Sequence, residues 1–182
     1  MKYKIVLFVS RHKDNQGVKG FQPRRASFLI DEDTDGLFSK YPAFLYFASG
    51  GVLGETSRMY VSVNARNMEK VRKALITKLV NDDQINFLKM NNILVHLAAK
   101  PENALEKKWL FDFDTKDEAN RISFEADLNR LTDFEDPIPT PNGYAYVVQN
   151  HFDPRALLEK WGSIVSLKKD DMLYVCKEKF NP

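Results

Sequence analysis

The sequence predicts an α+β protein with a mixed or antiparallel sheet, and three observations lead to that class. Hydrophobic residues make up 43% of the 182 residues and charged residues 29%, which is enough apolar material for a packed core. Apolar runs of strand length alternate with segments of helical periodicity. Glycine and proline clusters separate these segments. The length suits one domain with a short addition, so we expect an N-terminal β extension over residues 1–40 and a main domain over residues 41–182.

Periodicity defines the elements in the first two thirds of the chain. A helix is predicted over Asn67–Val80, because Val71, Leu75 and Leu79 fall on one stripe of a helical surface. The predicted strands are residues 3–9, Ala26–Ile30, Met59–Val63, Ile93–Leu97 and Lys107–Phe113.

Local signals define the elements in the last third. Thr115 and Glu118 have the spacing of a capping box, so a helix is expected to begin after the preceding strand and to run to about Leu131. Three prolines between Asp133 and Pro141 require a loop. The remaining predicted elements are the strand Tyr144–Val148, the helix Pro154–Trp161, and a terminal hairpin of Ile164–Leu167 with Met172–Cys176. From residue 59 the order is therefore β-α-β-β-α-β followed by α-β-β, which is close to a ferredoxin-like or RRM-like core.

Composition excludes several classes of function. Lys and Arg number 27 against 25 Asp and Glu, and this near-balance excludes a polycation that binds nucleic acid by bulk charge. The single cysteine, Cys176, excludes an internal disulfide and a cysteine-cluster metal site. The apolar run Ile5–Val9 is shorter than the core of a signal peptide, and no run is long enough to span a membrane. We therefore expect a cytoplasmic protein with no membrane partner.

The segment Asp112-Phe113-Asp114 is the most informative part of the sequence. Alternation along a strand places the two carboxylates on the same face, where they repel each other unless a cation lies between them. Mg²⁺ and Mn²⁺ prefer such oxygen ligands and leave coordination positions for water and phosphate oxygens. The pattern thus predicts a divalent metal site. The alternative is that both aspartates only favour the N-terminus of the following helix.

Three stretches resemble the archaeo-eukaryotic primase superfamily, which contains the small primase subunit and the primase-polymerases. Lys107–Asp117 is similar to the first catalytic motif, with an apolar strand followed by Asp-x-Asp. Arg58–Arg66 is similar to the element that precedes this motif, and Thr140–Val148 lies where the family has a Ser-x-His turn.

The resemblance implies metal-dependent nucleotidyl transfer on a nucleoside triphosphate, with single-stranded nucleic acid as a partner. Asp112 and Asp114 would be the catalytic and metal-binding residues. The third acidic ligand would be Asp170 or Asp171 of the final hairpin, and Asp171 is the candidate. The residues expected to contact nucleotide or nucleic acid are Arg58, Arg66, Asn142 and Lys168. The sequence departs from the family at Ala145, which stands where the family has a phosphate-binding histidine. His151, six residues further on, replaces it only if the strand register is different.

A second reading needs no catalysis. Arg58, Arg66, Lys70, Arg72 and Lys73 are dense enough to face a phosphate backbone. Tyr60 and Tyr144 offer stacking surfaces. The protein would then be a nucleic-acid- or protein-binding module of phage or mobile-element origin, and the missing histidine favours this reading. A third reading is a small structural protein. Asn142-Gly143 also has a plain interpretation as a turn that tolerates positive φ.

Overall fold

Two antiparallel four-stranded sheets organise the chain in the computed structural model, which describes residues 2–32 and 36–181. This confirms the α+β class. The sheets belong to two units. The first contains the described residues of Met1–Leu105 and Tyr174–Pro182, and the second contains Glu106–Leu173. Neither unit boundary coincides with the expected boundary at residue 40.

In chain order the elements are β1 (Tyr3–Ser10), β2 (Arg24–Asp31), α1 (Tyr41–Ser49), β3 (Thr56–Ser62), α2 (Met68–Asn81), α3 (Met90–Ala98), β4 (Lys108–Phe113), α4 (Glu118–Asn129), β5 (Ile138–Pro139), β6 (Tyr144–Gln149), α5 (Arg155–Trp161), β7 (Val165–Lys168) and β8 (Met172–Lys179).

The strand β1 lies inside the first sheet, whose order is β2-β1-β3-β8. The N-terminal segment is therefore an integral part of this unit, although the sequence suggested an extension. One face of the sheet forms the core, because Val6 and Phe8 of β1 pair with Val61 and Met59 of β3 and all four are buried. Phe44 of α1 packs on this face, with its ring centroid 5.3 Å from that of Phe8.

The strand predicted at Ile93–Leu97 is wrong, because this segment is part of the helix α3. Its buried residues Val95 and Ala98 are three apart, while its exposed residues Asn92 and His96 are four apart. This is the helical period, and it emerges only when the polar residues before the apolar run are counted with it. The helix predicted at 67–80 is confirmed as α2, with Asn67 as its N-cap.

The second unit is a complete ferredoxin-like unit of β4-α4-β5-β6-α5-β7. Its sheet order is β5-β6-β4-β7, so the first and third strands of the motif lie at the centre and all neighbours are antiparallel. The predicted motif is therefore present, but it begins at β4 and not at residue 59. The predicted terminal hairpin is wrong, because β7 pairs with β4 whereas β8 is the neighbour of β3.

Aromatic side chains fill the core of the second unit on the face that carries both helices. Phe111 and Phe113 of β4 are fully buried there, and Phe124 of α4 lies 5.3 Å from Phe113 between ring centroids. The capping residue of α4 is Asp117, not the predicted Thr115. Its carboxylate accepts a hydrogen bond from the backbone amide of Asn120 at 2.8 Å. No helix in the described ranges is long and apolar enough to cross a membrane.

Candidate functional site

One face of the first sheet carries arginine and tyrosine side chains in neighbouring rows. Val9 pairs with Arg25 on one side and with Arg58 on the other, so these side chains form one row across β2, β1 and β3. Tyr60 is two residues beyond Arg58 and pairs with Leu7 in the next row. Strand alternation thus places both arginines and Tyr60 on the same face, opposite to the one that packs against α1.

Two further side chains complete this surface. Arg11 follows β1, and its Nη2 donates a hydrogen bond to the hydroxyl of Tyr60 at 3.0 Å. Its guanidinium carbon lies 5.8 Å from the centroid of the Tyr60 ring. Tyr174 of β8 meets Tyr60 edge to face, with ring centroids 6.0 Å apart. We call Arg11, Arg25, Arg58, Tyr60 and Tyr174 the arginine–tyrosine face.

Asp14 fixes two of these arginines. Its Oδ2 accepts a hydrogen bond from Nε of Arg11 at 2.6 Å, and its Oδ1 accepts one from Nη2 of Arg58. The Asp14 side chain is 5% exposed, against 17% for Arg58 and 42% for Arg11. Burial by itself lowers the pKa of Arg11, but the hydrogen bond to Asp14 and the nearby Tyr60 outweigh it and raise the pKa. Three arginines against one aspartate leave a net charge of +2, and Arg25 is exposed.

The Asp-x-Asp motif lies in the second unit, on the central strand β4. Phe111 and Phe113 point into the core, so Asp112 points to the face of the sheet that carries no helix of this unit. Asp114 lies just beyond the strand and is exposed, and its backbone amide donates to the carbonyl of Ile164 at 2.8 Å. The expected common face of the two carboxylates is thus interrupted by the end of the strand.

Lys168 supplies the positive charge beside Asp112. Its Nζ donates to Oδ2 of Asp112 at 2.8 Å and lies 3.6 Å from Oδ2 of Asp171. Burial opposes the charge on Lys168, but the hydrogen bond to Asp112 and the nearby Asp171 outweigh it and raise its pKa. An ammonium group therefore occupies the position between two of the predicted metal ligands. A divalent ion fits there only if Lys168 moves away, and the described residues contain no group of three side chains that could hold a metal.

Ala145 pairs directly with Asp112 on the neighbouring strand β6. The position that the primase resemblance assigns to a histidine is thus adjacent to the carboxylate, but its methyl group offers no phosphate ligand. His151 lies beyond the end of β6 and is exposed, with its ring near that of Phe152 at 6.1 Å between centroids. Asn142 is exposed in the turn before β6.

Gly143 is required by a close backbone approach. A Cβ atom at this position would lie 1.9 Å from the carbonyl oxygen of Phe113 and 2.7 Å from that of Thr115. Gly143 is not among the positive-φ glycines of the described residues. The close approach therefore explains why glycine is needed here, whereas the sequence interpretation had attributed it to a positive φ.

The other predicted basic residues belong to the first unit. Arg66 is buried, at 3% exposure, where its backbone bridges to Tyr3 and Ala104. Lys70 donates to the carbonyl of Glu102 at 3.2 Å. Arg58 alone of the predicted nucleotide-contacting residues lies in the arginine–tyrosine face.

Arg11, Arg25 and Tyr174 were not predicted from the sequence as members of this surface. The signal for Arg11 was available, because it follows Val9 at the spacing of two that continues one face of a strand. Tyr174 joins this face only through the pairing of β8 with β3, a contact between distant parts of the chain.

No family model matches the chain, and no curated protein or solved structure was found to be similar to it.

Proposed function

We propose that the protein binds single-stranded nucleic acid through the arginine–tyrosine face and needs no metal ion for binding. The observation that carries this proposal is the placement of two tyrosine rings beside three arginines on one face of a sheet. Tyr60 and Tyr174 offer ring surfaces to unpaired bases, and the arginines offer charge and hydrogen-bond donors to phosphates.

The sheet of the second unit offers no comparable stacking surface on the face that carries Asp112. The residues of β4, β5, β6 and β7 that share the face of Asp112 are Lys108, Leu110, Ile138, Ala145, Val147, Gln149, Ser166 and Lys168. None of them is aromatic, so this face has no ring on which a base can stack. Single strands are the preferred target because their bases are free to stack on protein rings, whereas the bases of a duplex already stack on each other.

The test is an anisotropy titration of fluorescent deoxythymidine and uridine oligomers in buffer that contains a metal chelator. We expect the wild type to bind, and Tyr60→Leu and Tyr174→Leu to lose about 1–3 kcal/mol each, or roughly a 5- to 150-fold loss of affinity. Tyr46→Leu is the matched control, because Tyr46 is 83% exposed on α1, on the other side of the sheet. Equal losses in all three variants, or none, would reject the proposed face.

Metal-dependent nucleotidyl transfer is the second candidate. The specific observation in its favour is the ferredoxin-like order of the second unit, with Asp112 on the helix-free face of its central strand. The candidate metal ligands are Asp112, Asp114 and Asp171. Lys168 and Asn142 would contact the nucleotide. It requires Lys168 to leave Asp112, and the alanine at position 145 weighs against catalysis.

This candidate is tested by calorimetric titration of Mn²⁺ into the protein with and without a nucleoside triphosphate. We expect nucleotide-dependent metal binding if the site is functional, and its loss in the Asp112→Asn/Asp114→Asn double variant. Asp136→Asn, at an exposed position of the same unit, is the control. If the wild type and the double variant give the same heat, the carboxylates do not bind metal.

A further inference from the structure

A cavity of about 560 Å³ lies between α1 and the first half of β2. Its walls include Ala43 and Phe47 of α1 and Ala26 and Phe28 of β2. Strand alternation places Ala26 and Phe28 on the face of the sheet that packs against α1, opposite to the face that carries Arg25. The two alanines leave the space open, because larger side chains at these positions would fill it. The volume falls within the roughly 300–1,000 Å³ of small-molecule sites in proteins.

Aromatic rings give this cavity its apolar surface. Phe28 and Phe47 both contact Phe8, with ring centroids 5.3 Å and 5.8 Å apart. Phe8 is buried, whereas Phe28 and Phe47 are half-buried and line the cavity, so part of each ring is open to a ligand. Aromatic pairs attract each other beyond the effect of burial alone. These walls therefore favour a planar aromatic ligand over a flexible aliphatic chain.

Arg24 provides the polar group at one end of the cavity. Its guanidinium carbon lies 4.5 Å from the centroid of the Phe47 ring, and its Nη1 donates to the Phe47 carbonyl at 2.8 Å. Its Nε and Nη2 donate to Oε1 of Glu55 at 3.0 Å and 2.6 Å. A guanidinium has five N–H donors, so the bonds within the described residues leave two for a ligand. The contacts with Glu55 and Phe47 hold these donors in place, which lowers the cost of ordering them on binding.

The charges around Arg24 favour a neutral ligand. Glu55 is 2% exposed and already pairs with Arg24, which is 27% exposed. Ser49 and Gly50 also line the cavity at the C-terminus of α1, and this end of a helix carries negative partial charge. An anion would be repelled by Glu55 and by the helix end, whereas a cation would be repelled by Arg24. A carbonyl oxygen accepts a hydrogen bond from Arg24 without adding a charge.

We propose that this cavity binds a neutral planar aromatic molecule that carries a carbonyl oxygen. The aromatic ring packs against Phe28 and Phe47, and the carbonyl oxygen accepts a hydrogen bond from the guanidinium of Arg24. The site is separate from the arginine–tyrosine face, because Arg24 and Arg25 are neighbours on β2 and point to opposite faces of the sheet. It therefore does not depend on the proposed binding of nucleic acid.

The experiment is an NMR titration of the isotope-labelled full chain with naphthamide, naphthoate and methylnaphthalene, each substituted at the same ring carbon. The three probes differ only in the group that meets Arg24. We expect naphthamide to shift the amide signals of Ala26, Ala43 and Gly50. It should bind about tenfold or more tightly than methylnaphthalene, which offers Arg24 no acceptor. Naphthoate should bind more weakly than naphthamide, because its charge meets Glu55. This series tests Arg24 without a substitution that would break its ion pair.

Two variants that fill the cavity test its position. Ala43→Phe and Ala26→Leu should each abolish the binding of naphthamide. Ala119→Phe is the control, because Ala119 is exposed in the first turn of α4, as Ala43 is in the first turn of α1. The amide spectrum of each variant confirms that the fold is intact. A wild type that does not bind naphthamide, naphthoate that binds at least as tightly as naphthamide, or undiminished binding in both filled variants would each overturn the proposal.

Discussion

The salt dependence of nucleic-acid binding is the sharpest quantitative consequence of the arginine–tyrosine face. Arg25 is the best position for the test, since it is exposed and pairs in register with Val9. Arg58 is less suitable, because its loss would leave the buried Asp14 with one arginine partner. We therefore expect Arg25→Gln to change binding and to leave the fold intact.

The magnitude follows from counterion release. Each phosphate neutralised on a single strand contributes about 0.7 to the magnitude of the slope of log K against log salt. The net charge of +2 therefore gives a slope of about −1.4, and Arg25→Gln, which leaves +1, gives about −0.7. Between about 50 mM and 200 mM salt the wild type should lose affinity roughly sevenfold, and Arg25→Gln only about threefold. The two binding curves converge as the salt concentration rises.

The assay is an anisotropy titration of a fluorescent oligodeoxythymidine at four salt concentrations, with a chelator present throughout. Lys169→Gln serves as the control for removal of one exposed cation from the second unit and should keep the wild-type slope. If Arg25→Gln keeps the slope while Lys169→Gln lowers it, the phosphates contact other cations and the assignment of this face is wrong.

Three further predictions concern packing and ion pairs inside each of the two units. Gly143→Ala should lower the free energy of urea unfolding by about 1–3 kcal/mol, since its Cβ must displace backbone atoms, and a near-neutral result would contradict the close approach. Glu55→Gln should cost roughly 2–3 kcal/mol in the same measurement, because the buried Glu55 carboxylate binds the guanidinium of Arg24 at 2.6 Å. Arg24→Gln should cost more, because it leaves the 2% exposed carboxylate without its cation, whereas Arg24 itself is 27% exposed; a smaller loss in Arg24→Gln would contradict this reasoning. Hydrogen bonds from a lysine and from the Trp161 indole lower the pKa of Asp127. Its stabilisation is therefore present above its unfolded-state pKa and lost as the pH falls through its folded-state pKa, so the stability deficit of Asp127→Asn should shrink in acid; a deficit independent of pH would refute the ionic contribution.

Elements with a strong local signal were predictable from the sequence. The helix at 67–80 has a cap and a clear stripe, and the strand at 107–113 has a run of apolar residues that only a buried strand of this length explains. The strand prediction at 93–97 failed because five residues, four of them apolar, are too few to show a period. The predicted pairing of the last strand was wrong for another reason. Its closeness in sequence to Ile164–Leu167 suggested a hairpin, but β8 joins β3.

The candidate site was predictable only in part. Arg58 and Tyr60 were both among the predicted nucleic-acid contacts, and the structure places them on one face of β3 at a spacing of two. The sequence did not predict the ion pair between Asp112 and Lys168, which are far apart in the chain and meet only because β7 pairs with β4. Charge compensation of a carboxylate is a property of tertiary structure, so a two-aspartate motif cannot by itself distinguish a metal ligand from an ion pair.

The placement of β8 affects the order in which the chain can fold during synthesis. The first sheet contains both β1 and β8, so it stays one edge strand short until residue 179 has left the ribosome. The second unit is contiguous in sequence and has all its strands by residue 168. A nascent chain thus completes the inserted unit first and closes the host unit last, across a long sequence separation that slows folding. Removal of the segment from Tyr174 onward would therefore damage the unit that begins the chain and leave the unit nearest to the cut intact.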